Sequence, residues 1–172
     1  MKKILFLVVA FTAILMMGCS DSSGSDDNRG SFSVEGYTDQ PLILATYYFY
    51  DDEGITRCEL TLFGNSSSDS LNSVNFNLDI ADLPETETTY TFATGLNFCE
   101  VEADYNDDEM TGYAAEMDYN NDTESWVTIR KSRDTYTIEF SVQVSESDSF
   151  VEFDHLTGSY TGPIEDIEDY IH

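Results

Sequence analysis

Residues 73 to 80 read SVNFNLDI and residues 135 to 144 read TYTIEFSVQV. In the first, Val74, Phe76, Leu78 and Ile80 alternate with Ser73, Asn75, Asn77 and Asp79; in the second, Tyr136, Ile138, Phe140, Val142 and Val144 alternate with Thr135, Thr137, Glu139, Ser141 and Gln143. Neighbouring side chains of an extended chain point to opposite faces, so a period of two gives a strand one buried face and one wet face. A helix of the same composition would scatter its apolar residues around the whole circumference.

The same alternation sets Cys99, Val101, Ala103 and Tyr105 against Glu100, Glu102 and Asp104, and Tyr113, Ala115 and Met117 against Glu116 and Asp118. Strands are expected near 32–37, 42–50, 55–63, 72–80, 88–93, 98–105, 111–119, 125–130, 134–144 and 149–160, joined by short polar turns. Connections this short cannot carry parallel crossovers. The expected fold is therefore an all-β antiparallel domain over residues 32–172, preferably a two-sheet β-sandwich, with an up-and-down, lipocalin-like barrel as the alternative. Pro163 followed by Ile164, Ile167 and Ile171 predicts a short C-terminal helix. A simple meander through 98–144 would set Arg130, Lys131 and Arg133 beside Asp107, Asp108 and Glu109.

Ahead of the domain the pattern changes. Lys2 and Lys3 precede an apolar run from Ile4 to Met17, then Gly18 and Cys19. That is the layout of an export signal, and the run is shorter than a spanning helix needs. The junction MMGC resembles a bacterial lipoprotein lipobox, although Met16 stands where that family usually has leucine. The resemblance implies cleavage after residue 18, acylation of Cys19 and attachment to a lipid bilayer. Residues 19–31 are then a flexible acidic tether of Ser, Gly, Asp and Asn. Cys19-Ser20-Asp21 with Asp26-Asp27 further resembles the acidic export signals of Bacteroidota surface lipoproteins. The segment 126–164, WVTIRKSRDTYTIEFSVQVSESDSFVEFDHLTGSYTGPI, resembles the closing hairpin of uncharacterised all-β lipoproteins of that group, and LPETETTYTF at 83–92 resembles their middle portion more loosely. These likenesses imply an outer-membrane lipoprotein, preferably on the cell surface and otherwise facing the periplasm. They imply no activity.

Charge narrows the partners. The chain has 34 acidic and 7 basic residues, and loss of Lys2 and Lys3 with the signal leaves a formal net charge of −29. Such a surface repels phosphates, which argues against nucleic acid. His155 and His172 are the only histidines, and no Gly-x-Ser-x-Gly, His-Glu-x-x-His or Cys-x-x-Cys occurs, so no catalytic residue and no cofactor is assigned. DYNDD at 104–108 and DYNND at 118–122 begin like calcium loops, but they lack the glycine and the terminal glutamate of an EF-hand. They read as turns, with no metal site.

Two pairs of residues remain. In TYYFY, residues 46–50, one of the pairs Tyr47/Phe49 and Tyr48/Tyr50 must face away from the core; Tyr48 and Tyr50 are the candidate ligand-binding residues, since tyrosine rings stack on sugars. Cys58 and Cys99 form an even pair in an exported chain once Cys19 is acylated, and a disulfide between them would close 40 intervening residues, worth about 4 kcal/mol in the chain-entropy model. The expected function is a non-enzymatic lipoprotein whose β domain binds a glycan or a protein. The alternative is a secreted-side hydrolase that uses a carboxylate pair.

Overall fold

The computed structural model describes residues 29–35, 39–64, 72–105, 108–115, 124–145 and 154–167. Eleven strands hold most of them: β1 (Gly30–Val34), β2 (Gln40–Asp52), β3 (Ile55–Gly64), β4 (Ser73–Leu78), β5 (Thr88–Tyr90), β6 (Leu96–Tyr105), β7 (Asp108–Ala115), β8 (Trp126–Ser132), β9 (Thr135–Val144), β10 (Asp154–Gly162) and β11 (Glu165–Asp166). All ten expected strands are present, while the expected stretches 36–37, 116–119 and 149–153 lie outside the described residues. The β2–β3 hairpin turns through Glu53 and Gly54, whose φ angles of 55° and 87° give the two left-handed positions that suit the twist of a tight hairpin.

The strands form one sheet in the order β5-β8-β9-β10-β1-β2-β3-β4-β6-β7, with β11 added beside β2. Every pairing is antiparallel except that of β11 with β2. This overturns the barrel and the meander, and it does not bear out two separate sheets. The strands make one hydrogen-bonded sheet, because β1 pairs with β10 on one side and β2 on the other and so joins what would have been two sheets. Nor is the sheet closed into a barrel. β5 follows β4 in the chain but pairs with β8, taking the edge that β7 would need. The same insertion breaks the meander, since β8 lies between β5 and β9 and not beside β7; Lys131 pairs with Glu85 at 2.7 Å and Arg130 with Glu87 at 3.5 Å, while the side chains of Asp107, Asp108 and Glu109 lie outside the described residues.

The expected C-terminal helix does not begin where Pro163 suggested. Glu165 and Asp166 pair with Thr46 and Tyr47 as a short parallel strand, while residues 168–172 lie outside the described residues. The cause lies in β2. Its pairing with β1 covers only Gln40–Leu42, and a bulge between Leu42 and Leu44 follows. The rest of that edge offers unpaired backbone groups, which an extended tail can satisfy. Ile164 packs against the core and Ile167 is buried, so these isoleucines are buried by strand pairing instead.

A single apolar core lies inside the bend of the sheet. The rings of Phe76 on β4 and Phe140 on β9 meet edge to face with centroids 5.1 Å apart, although four strands separate β4 from β9 along the sheet. Gly158 makes room for this contact. It stands between Phe140 and Phe32 across three adjacent strands, and a Cβ there would come within 2.4 Å of the Phe140 ring and 2.8 Å of the Phe32 Cβ. Tyr160 is fully buried, its hydroxyl donating to the Pro163 carbonyl at 2.7 Å.

Cys58 and Cys99 both face this core, as expected, yet they are free thiols. Cys58 lies opposite Leu78 of β4 and Cys99 opposite Phe76. Two strand spacings and a two-residue offset place their α-carbons roughly 12 Å apart, beyond the reach of about 7 Å that a disulfide allows. Burial raises both thiol pKa values, that of Cys58 to about 12. They behave as small apolar residues.

Candidate functional site

The expected ligand-binding tyrosines lie on the outward face of β2. Tyr47 and Phe49 pack against the core, so alternation sends Tyr48 and Tyr50 outward, with ring centroids 5.7 Å apart. Neither hydroxyl is idle. Tyr48 donates to the Glu59 carboxylate, and Asn77 donates to the Tyr50 hydroxyl. Burial and the neighbouring Glu59 both push the Tyr48 phenol pKa upward.

These bonds belong to a lattice that crosses the strands. Asn75 bridges Glu59 and Thr61 at 2.9 Å each, and Asn97 donates to Asn77 at 3.2 Å. Arg57 closes one end by pairing with Asp52 and, at 2.9 Å, with Asp79. Burial, then Glu102 and Glu59, raises the pKa of Glu100 at the other end. Side chains whose polar atoms already bond one another have less to offer a ligand, so this face is a rigid platform rather than an open site.

One member of β2 is left out of that lattice. Thr46 is 1% exposed, and its hydroxyl has no hydrogen-bond partner. A buried hydroxyl without a partner costs about 1–3 kcal/mol. The nearly isosteric Thr46→Val is therefore expected to stabilise the domain by about 1 kcal/mol, read as a higher urea midpoint with an unchanged slope. A loss of stability would show that the hydroxyl is satisfied in solution.

The open concavity lies on the outward face of the other half of the sheet. It is a trough of about 550 Å³ over β8, β9, β10 and β1, within the range of small-ligand sites. Register builds it row by row. Trp126, Ser141, Thr157 and Ser33 lie side by side across the four strands, and Glu139, Ser159 and Ser31 form the next row. The serines and threonines are short, so the floor is low. The part-buried Trp126 supplies a tall aromatic wall, and Asp39 borders the trough ahead of β2.

Ser141 Oγ lies 2.6 Å from His155 Nε2, which suggests a nucleophile and its base. The arrangement stops there. Among the described residues no carboxylate hydrogen-bonds the other ring nitrogen, and the backbone N–H groups of β9 and β10 are engaged in their ladder, leaving no donors for an oxyanion. Asp39 and Glu139 are both exposed, whereas a glycosidase acid needs a desolvated setting to hold its proton. The chemistry on offer is hydrogen bonding and ring stacking. Among the described residues no cluster of His, Cys, Asp and Glu could hold a metal ion; residues 106–107 and 116–123 of the Asp-rich loops lie outside them.

Sequence reasoning missed this trough because its residues run from Ser31 to Ser159. One signal was present: in WVTIR, Trp126 alternates with Val127 and so belongs to the wet face. Comparison with family models, with curated proteins and with solved structures gives no match.

Proposed function

We propose that this chain is an exported bacterial lipoprotein, acylated at Cys19 and held in the outer membrane, whose β domain binds a glycan without chemically altering it. The favoured location is the cell surface, the periplasmic face being the alternative. The observation that carries the binding half is the trough, where one aromatic wall rises beside rows of small hydroxyl side chains. Stacking on the ring and hydrogen bonds to the floor suit a polyhydroxylated ligand better than an apolar one. A protein ligand is the second reading, favoured by the Tyr48/Tyr50 platform. The finer architecture, two halves of a bent sheet packed face to face as in a sandwich, is supported by the Phe76–Phe140 contact.

The anchoring half rests on the MMGC junction and the polar stretch after it. Several acyl chains hold a protein to a bilayer without a spanning helix, since each buried methylene contributes about 0.8 kcal/mol. Cells given a labelled fatty acid should mark the wild-type protein and leave Cys19→Ala unmarked. Equal labelling of the two would end the lipoprotein reading. An array of immobilised polysaccharides tests the ligand half: retention of the full chain on at least one is expected, and retention on none would move the reading to a protein partner.

A further inference from the structure

The geometry points to a more specific ligand for the trough: we propose that it binds a neutral or amino-sugar oligosaccharide along the row Trp126–Ser141–Thr157–Ser33 and excludes uronic-acid and sulfated chains. This inference rests on the glycan-binding reading above and adds the site's orientation and selectivity. The row crosses β8, β9, β10 and β1. Three strand spacings of about 4.8 Å make it roughly 14 Å long, a length that a single sugar ring does not fill.

The two ends of the row differ. At β8 the indole of Trp126 gives a flat apolar face on which the C–H face of a pyranose can stack. Toward β1 only short hydroxyl side chains follow, able both to donate and to accept hydrogen bonds from sugar hydroxyls. Ser141 is held by His155 at 2.6 Å, which fixes one hydroxyl near the tryptophan. The next row of the floor carries Glu139, two residues from Ser141 on the same strand, and Asp39 borders the trough. Two exposed carboxylates, in a chain of formal net charge −27, accept hydrogen bonds from neutral hydroxyls, attract a protonated amino sugar and repel an anionic chain.

Trp126 is the chain's one tryptophan, so fluorescence excited at the red edge of the near-ultraviolet band, where its tyrosines do not absorb, reports on this site. The full chain is titrated with cellohexaose, xylohexaose and mannohexaose as neutral probes and with hexagalacturonate as the anionic one, while calorimetry measures binding independently. At least one neutral hexaose is expected to shift the Trp126 emission to the blue and to release or absorb heat, and hexagalacturonate to do neither. Trp126→Ala should weaken the calorimetric affinity about 30-fold, as for a hot-spot tryptophan, and Trp126→Phe should recover most of it. Glu139→Gln lies at an exposed position where folding is not at stake; the amide keeps a hydrogen-bond acceptor but loses the charge, so the affinity for hexagalacturonate relative to the neutral hexaose should rise.

Heat without a change in Trp126 emission, or affinity untouched by Trp126→Ala, would overturn the trough while leaving the glycan-binding reading in place. Absence of heat with every neutral hexaose would overturn the ligand class together with that reading. Tight binding of hexagalacturonate by the wild type would overturn the selectivity, and release of new reducing ends from a bound hexaose would replace the binder with a hydrolase.

Discussion

Phe140→Ala is expected to lower unfolding stability by about 3–5 kcal/mol, the usual cost of removing a buried phenylalanine. Phe140 is 2% exposed and contacts Phe76 from across the core. Its loss therefore removes buried area from β9 and also one of the contacts by which the two halves of the bent sheet touch. For a domain of this size the midpoint of thermal unfolding should fall by about 10–20 °C. Urea unfolding followed by far-ultraviolet circular dichroism measures the change directly. A loss below about 1 kcal/mol would mean that the halves do not pack through this ring.

Gly158→Val tests the same place from the other side. The first added carbon would come within 2.4 Å of Phe140, 2.7 Å of the Ser31 carbonyl oxygen and 2.8 Å of Phe32. The carbonyl belongs to backbone that is paired with β10, so relief requires a strand to move as well as a ring to turn. Overpacking of this kind costs about 1–3 kcal/mol, and the branched side chain puts the result at the upper end. The two substitutions compete for one volume. In Phe140→Ala the nearest clash is gone, so the double variant should cost less than the sum of the single ones by about 0.5–3 kcal/mol. Additive losses would show that Gly158 matters through Ser31 and Phe32 alone.

The strands were legible because each carries its own evidence: a run such as VNFNL needs no distant partner to show which side is buried. The path of the sheet was not. Nothing in Thr88–Tyr90 says that its partner is Val127–Ile129, and that one pairing decides against closure and against the meander. The tail misled for a related reason: the spacing of isoleucines 164, 167 and 171 fits a helix, but Ile164 and Ile167 find burial on an extended tail that pairs with the unfilled edge of β2. Alternation placed Cys58 and Cys99 on the inner face but said nothing of the intervening β4. Tyr48 and Tyr50 were rightly placed outside, while their bonds to Glu59 and Asn77 depend on a register between strands. The alternation of Trp126 with Val127 could have marked it as an outward residue, but the hydroxyls beside it come from three other strands.

The position of β1 sets a clock. It is the first of the described strands to be made, yet one of its two neighbours is β10, and Arg29 and Tyr160 meet across 131 positions of chain. At ribosomal rates of about 5–20 residues per second, that separation is roughly 7–26 s of synthesis. Throughout that interval β1 has at most β2 beside it, and its other edge, with the apolar side chains of Phe32 and Val34, has no native partner to cover it. Closing so long a loop also makes the final step slow compared with hairpin formation. Until β10 arrives, whether from the ribosome or on the far side of a membrane after export, the chain is an incomplete sheet with an open edge, a state in which a holding chaperone has something to bind.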